Sequence, residues 1–181
     1  SLKKKKKLRK DMNILEIKKY DVVNGPGIRC SIWVAGCNNN CIGCWSPHTW
    51  NPDQGRPLKD SIKEIKEAIY NPKITGISIL GGDPFFHLFN GNYDDVVTLL
   101  LLCHQSRKPI WVWTGYKKEQ IDKKLQELGI PNLLNSFVDV LIDGPFNITK
   151  KDMNLEWKGS SNQRIIDIKK TAKGNKIIEL K

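Results

Sequence analysis

Short apolar runs alternate along the chain with longer stretches whose apolar residues recur at helical spacing. Six runs predict β-strands, at residues 14–17, 28–35, 76–80, 110–113, 138–142 and 164–168. Three helices are predicted between them. The first begins at a Ser61-x-x-Glu64 capping box and ends before Pro72, the second spans residues 94–103, and the third ends at Gly129. Because several strands are apolar on both faces and helices separate them, the pattern predicts an α/β fold with mainly parallel strands.

Polar loops that contain glycine or cysteine follow four of the predicted strands, at residues 37–44, 81–84, 114–116 and 143–145. In parallel α/β folds, ligands bind outside the carboxyl ends of the strands. We therefore expect these four loops to meet at one edge of the sheet and to form the functional site there.

The chain has 181 residues, enough for one compact domain but short of the roughly 250 that a complete (β/α)8 barrel needs. Its formal net charge is +11, and residues 3–11 supply six of these charges. We expect residues 1–11 to be a basic, disordered extension, residues 12–168 to be the folded domain, and residues 169–181 to be a basic C-terminal tail. The rest of the chain keeps a smaller excess of positive charge, which suits an anionic partner or an acidic electron donor. We consider nucleic-acid binding the less favoured interpretation of this charge.

The sequence lacks a run of about 18 apolar residues, and no apolar segment follows the N-terminal lysines as it does in a secretory signal. We therefore predict a cytoplasmic protein without a membrane span. Five cysteines, an odd number, favour reduced, metal-binding thiols over a disulfide framework in that compartment.

Three of these cysteines, Cys37, Cys41 and Cys44, form a C-x3-C-x2-C motif directly after an apolar strand. Thiolates are soft ligands that select iron–sulfur clusters or zinc, and three on one short loop can take three corners of a [4Fe–4S] cluster and leave one iron open. A structural zinc site needs four ligands. Cys30 is available as the fourth, but it lies seven residues earlier on a predicted strand, so the spacing favours the cluster.

The loop of Gly81, Gly82, Asp83 and Pro84 has the chemistry of a site for the methionine end of a cofactor. Glycines allow close backbone approach, and free carbonyls and a carboxylate can accept hydrogen bonds from an ammonium group. On this reading a larger side chain at Gly82 would fill the space that the cofactor needs. Together, the cysteine triplet and this loop resemble the radical S-adenosylmethionine superfamily, in which the open iron binds the amino and carboxylate groups of methionine.

The resemblance narrows to the activating enzymes of anaerobic (class III) ribonucleoside-triphosphate reductases and covers residues 13–168. The stretches that carry it are residues 24–27, 43–45, 49–50, 81–84, 113–116, 142–146 and 159–164. The broad superfamily favours an aromatic residue before the third cysteine, whereas this chain has Gly43 there and Trp45 after it, as the reductase activases do.

This resemblance implies a partial, open (β/α) barrel of the radical S-adenosylmethionine type, with a [4Fe–4S] cluster on Cys37, Cys41 and Cys44. The reduced cluster would cleave S-adenosylmethionine, and the resulting 5′-deoxyadenosyl radical would make a glycyl radical on the large reductase subunit. It also implies an external low-potential donor such as flavodoxin. The cofactor-binding candidates are Gly43, Cys44, Trp45, Gly81, Gly82, Asp83, Thr114 and Asp143.

Other residues have simpler interpretations. Asp143 stands at a strand end, where its carboxylate can reach ribose hydroxyls or the partner's glycine loop, but Asp before Gly-Pro is also ordinary turn chemistry. The remaining cysteines are predicted to be small buried apolar residues. The three tryptophans in predicted strands, Trp33, Trp111 and Trp113, are predicted to be core residues, and the histidines show no ligand spacing.

Three alternatives stay open. An activase of another glycyl-radical enzyme, or the radical enzyme that builds the 7-deazaguanine ring, would share the cysteine triplet, although residues 159–164 and the short C-terminus argue against both. A zinc-stabilised nucleic-acid-binding module would use the cysteines and the basic charge, but it leaves the loop at residues 81–84 unexplained.

Overall fold

The computed structural model describes residues 10–181, and most of the predicted basic extension, residues 1–9, lies outside the described residues. The strands are β1 (Asn13–Asp21), β2 (Arg29–Val34), β3 (Arg56–Pro57), β4 (Gly76–Gly81), β5 (Ile110–Trp113), β6 (Val140–Asp143) and β7 (Arg164–Asp167). The helices are α1 (Leu58–Ile69), α2 (Phe86–Phe89), α3 (Tyr93–His104), α4 (Lys118–Glu127), α5 (Leu133–Phe137) and α6 (Ile168–Gly174). The predicted α/β class is confirmed.

All seven of these strands form one sheet in the order β3-β1-β2-β4-β5-β6-β7. The central strands β2, β4, β5 and β6 are parallel, whereas β1, β3 and β7 pair antiparallel to their neighbours. The antiparallel β1–β2 pair follows from its short connection at residues 22–28, because a parallel crossover needs about a dozen residues or more.

The two faces of the sheet differ. On one face, Ile32, Ile79 and Val112 belong to the main hydrophobic core, which also contains buried residues of α1, α3, α4, α5 and α6. On the other face, Trp111, Val140 and Ile142 form a second cluster, packed against Trp113, Trp157 and Ile165. The helices thus cover one face, and the other face carries tryptophans.

The predicted start of the first long helix was wrong. Helix α1 begins at Leu58, whose N–H donates to Met12 O because β3 has just paired with β1. The Ser61 hydroxyl therefore lies inside the first turn and donates to Pro57 O, and Glu64 pairs with Arg56 instead of capping the helix.

The sequence pattern also predicted no element after β7, but α6 follows directly. The Asp167 carboxylate accepts from Lys170 N–H at the N-terminus of α6, and Asn175 ends the helix in the left-handed conformation with φ +54°. The chain then returns along β7, where Leu180 N donates to Ile165 O. Among the described residues, none of the helices has both the length and the apolar character that crossing a membrane requires.

Candidate metal and cofactor site

The cysteine loop and the glycine loop lie side by side because they follow two neighbouring parallel strands, β2 and β4. Gly82 N–H donates to Val34 O at 2.8 Å, and Asp83 N–H donates to Gly36 O at 2.7 Å. A Cβ on Gly82 would lie 2.5 Å from Gly36 O and 2.8 Å from Thr49 O. The glycine is therefore required where the two loops touch, and its missing side chain would point at the cysteine-loop backbone.

One cavity of about 470 Å³ opens beside these loops, a volume typical of sites for small ligands. Its wall contains all three cysteines of the motif and Gly81 and Gly82. The remaining predicted residues in the wall are Trp45 and Thr114. The thiols are free and partly exposed, so the residues present fit a soft metal cluster at the mouth of a cofactor-sized cavity.

N–H groups donate to two of the three thiols. The Asn39 side-chain Nδ2 donates to Cys37 Sγ and the Ser46 backbone N–H donates to Cys44 Sγ, both at 3.4 Å. For the third thiol, burial raises the pKa of Cys41 and the backbone N–H of Phe146 lowers it in part. Such donors stabilise a thiolate, which is the form that binds metal.

Burial has the opposite effect on these thiols. It raises the pKa of Cys37 to about 11 and also raises the pKa of Cys41, so both carry a proton at neutral pH until a metal displaces it. Across residues 10–181, no three His, Cys, Asp or Glu side chains are arranged to hold a single metal ion. The three thiols share one cavity wall.

Asp83 is buried and is not part of the cavity wall. Its carboxylate accepts from the Thr114 hydroxyl at 2.8 Å, Gly115 N–H at 2.9 Å, Phe85 N–H at 3.0 Å and the Asn39 amide at 3.0 Å. Desolvation raises the pKa of this carboxyl group against these hydrogen bonds. The structure thus brings Asp83 and Thr114 together, and of the two only Thr114 reaches the cavity wall.

Asp143 is also buried and does not reach the cavity wall. It accepts from Arg164 Nε at 2.9 Å and from Lys118 N–H at 2.7 Å, at the start of α4. Arg164 bridges it to Glu119 and lowers the pKa of Glu119 to about 2. In this position the Asp143 carboxylate connects β6, α4 and β7.

Gly43 likewise is not part of the cavity wall, and it allows a close contact between the cysteine loop and Ile148. Its φ is +75°, and a Cβ there would lie 2.8 Å from Ile148 Cδ1. The segment that follows β6 therefore packs directly on the cysteine loop, and Lys151 Nζ lies 4.3 Å from the centre of the Trp45 ring.

Sequence reasoning missed the aromatic character of the cavity. Five of the six tryptophans of the chain, all except Trp111, contribute to its wall. The prediction that Trp33 is an ordinary core residue was wrong, since it is only partly buried and lies in the cavity wall. Trp113 lies in that wall and also packs against the second hydrophobic cluster, in which Trp111 is buried as predicted. The available signal was the two-residue period of β2, because Trp33 stands between core residues Ile32 and Val34 and must point to the other face.

Comparison with known proteins gives a consistent set of relatives. The family model described as a 4Fe-4S single cluster domain matches residues 23–166. The chain is 38% identical over 160 residues to a protein of Escherichia coli strain K12, covering 84% of this chain and 96% of that protein. It is 36% identical over 159 residues to a protein of Enterobacteria phage T4, covering 85% of this chain and 93% of the phage protein. Both relatives are named anaerobic ribonucleoside-triphosphate reductase-activating protein.

Proposed function

Because the chain belongs to the family of anaerobic ribonucleoside-triphosphate reductase-activating proteins, we propose that it generates a glycyl radical on the large subunit of that reductase. The observation that carries this proposal is the meeting of three thiols, two of which accept N–H hydrogen bonds, with the Gly81–Gly82 backbone in one cavity wall. Soft ligands for a cluster and an accessible backbone for a cofactor thus stand next to each other.

Cys37, Cys41 and Cys44 are the proposed ligands of a [4Fe–4S] cluster. A cluster held there would supply one electron to the sulfonium of S-adenosylmethionine, which would release methionine and a 5′-deoxyadenosyl radical. That radical would take a hydrogen atom from a glycine of the reductase and leave as 5′-deoxyadenosine. A low-potential donor such as flavodoxin is the proposed source of that electron. The N–H groups that donate to Cys37 and Cys44 would stabilise negative charge on the ligand sulfurs of such a cluster.

The cofactor-binding role is proposed for the candidates that line the cavity, namely Cys44, Trp45, Gly81, Gly82 and Thr114. The backbone of Gly81 and Gly82 lies in the wall, where a methionine moiety can contact it. A side chain at either glycine would instead meet backbone atoms of neighbouring segments. For the three candidates outside the wall, Gly43, Asp83 and Asp143, we propose that they shape the site by holding its loops.

The sheet is proposed to be the partial, open (β/α) barrel that the sequence resemblance implies. The support is that helices contribute to the core on one face, as they do on the outside of a barrel, while the opposite face carries the cavity. Trp45 and Met153, in the cavity wall, are 58% and 73% exposed, so the site is accessible to a second protein.

The proposal is tested by anaerobic reconstitution with iron and sulfide, followed by metal analysis and by absorption and EPR spectroscopy. About four iron atoms per chain, a reduced-cluster EPR signal and release of 5′-deoxyadenosine from S-adenosylmethionine are expected. Addition of the anaerobic reductase should then give a doublet glycyl-radical signal on its large subunit. Stoichiometric zinc without a cluster would refute the mechanism and favour a structural zinc site.

A further inference from the structure

Asn39 occupies an unusual position in the cysteine loop, between two of the cysteines in sequence and between two acceptors in space. Its side-chain Nδ2 lies 3.4 Å from Cys37 Sγ and 3.0 Å from Asp83 Oδ2. An amide nitrogen has two hydrogens, so one group can donate to both acceptors. Asn39 thus links a proposed cluster ligand to a buried carboxylate at the end of the neighbouring strand.

The surroundings of Asn39 hold its amide in this place. Asp83 is itself fixed by Thr114 and by Gly115 N–H, so it cannot follow a moving side chain. Gly115 also provides the space: a Cβ at Gly115 would overlap the Asn39 amide. Because the φ of Gly115 is not in the left-handed region, the glycine is needed here for room and not for backbone conformation.

We propose that Asn39 is a positioning residue that sets the reduction potential of the cluster through its hydrogen bond to Cys37. This inference rests on the cluster in the proposed function. Reduction adds negative charge to a cluster and its thiolates, and an N–H dipole that points at a thiolate sulfur stabilises that added charge. The amide of Asn39 therefore raises the potential relative to a loop without it.

Asn38 provides a matched comparison within the same loop. Its side chain is exposed, and its backbone carbonyl, which a side-chain substitution leaves in place, accepts from Asn40 Nδ2. Asn38→Ala and Asn39→Ala remove the same chemical group from adjacent positions, one directed to solvent and one directed to Cys37. Any general effect of shortening a side chain in the loop is common to both variants.

The test is an anaerobic potentiometric titration of the reconstituted protein, without S-adenosylmethionine, for the wild type and for Asn39→Ala, Asn38→Ala and Gly115→Ala. We expect a more negative midpoint in Asn39→Ala, such that the ratio of reduced to oxidised cluster at a fixed potential falls about three- to tenfold. Asn38→Ala should match the wild type. Gly115→Ala should shift in the same direction as Asn39→Ala, because it displaces the amide without removing it.

The double variant Asn39→Ala/Gly115→Ala separates this role from a merely structural one. If Gly115→Ala acts through the Asn39 amide, it has no further effect on the midpoint once that amide is gone. Equal midpoints in wild type and Asn39→Ala, or additive shifts in the double variant, would overturn the inference while leaving the cluster and the proposed function intact. Failure of the wild type to assemble a [4Fe–4S] cluster would overturn both, and metal analysis identifies that outcome.

Discussion

Replacement of Gly82 by alanine tests the contact between the two loops. The sequence alone suggests that a side chain at Gly82 would fill the cofactor site and leave the cluster intact. The structure leads to a different expectation, since the new Cβ would lie 2.5 Å from Gly36 O and 2.8 Å from Thr49 O. These are backbone atoms of the segments directly before and after the cysteine loop. Backbone atoms cannot rotate away as a side chain does, so the loops must separate.

The cost follows from the bonds that join the loops. Gly82 N to Val34 O and Asp83 N to Gly36 O are the two hydrogen bonds that a separation would lengthen or break. At roughly 0.5–1.5 kcal/mol each, their loss lowers the free energy of unfolding by about 1–3 kcal/mol. The wall that carries Cys37 shifts with them, so we also expect less iron to be bound after reconstitution.

Urea unfolding of the metal-free protein measures the first effect, and iron content after anaerobic reconstitution measures the second. Gly174→Ala is the matched control, because its Cβ would meet only the end of the Ile178 side chain, at 3.1 Å, and its φ is not left-handed. The opposite result would be a Gly82→Ala protein that keeps wild-type stability and full iron content but does not bind the cofactor. It would show that a side chain at Gly82 fills the cofactor site and does not force the two loops apart.

Three further outcomes are expected. Cys37→Ala should prevent cluster assembly, whereas Cys30→Ala should retain the iron; loss of iron in both would indicate a four-cysteine site. His87 is buried, with neither ring nitrogen hydrogen-bonded to described residues, and burial lowers its pKa. Below about pH 6.5 the unfolded chain therefore binds a proton at His87 that the folded protein does not bind. The free energy of unfolding should fall on acidification by up to ~1.4 kcal/mol per pH unit. His87→Leu should weaken that dependence in urea titrations at about pH 5 and about pH 7. Asp143→Ala should lower the free energy of unfolding by about 2–4 kcal/mol and Glu119→Ala by less than about 1 kcal/mol, because only the first carboxylate is buried. Equal costs for these two variants in urea unfolding would contradict that assignment.

The central strands were predictable from sequence because burial on both faces leaves an unbroken apolar run. The strand directions were only partly predicted, since direction depends on the connections and not on the apolar run. The loop at residues 22–28 is too short for a crossover, so the antiparallel pairing of β1 with β2 could have been inferred from length alone. The start of α1 could not, because it depends on β3, a strand of two residues with no apolar period.

The sequence predicted which loops lie at the candidate site, but it did not predict which of their side chains reach the cavity. Cys37, Cys41 and Cys44 were identified because thiol spacing is itself the chemical signal. Asp83 and Asp143 were placed at the correct edge of the sheet, but the sequence does not record the N–H groups that hold their carboxylates outside the cavity wall. Those donors come from other strand ends and from α4, which are distant in sequence.

The position of Asp83 outside the wall has an electrostatic consequence. Burial raises the pKa of Cys37 to about 11, and the negative charge of Asp83 adds to that increase and so opposes formation of the thiolate. A carboxylate pointing into the cavity would repel the thiolates, and more so once a bound cluster is reduced. Bonds from Thr114, Gly115 and Phe85 hold that charge behind the wall, and the neutral amide of Asn39 donates to the carboxylate and the thiol together. The acidic residue of the glycine loop can therefore act as an anchor for the cysteine loop, while Gly81 and Gly82 leave the cavity side free for a ligand.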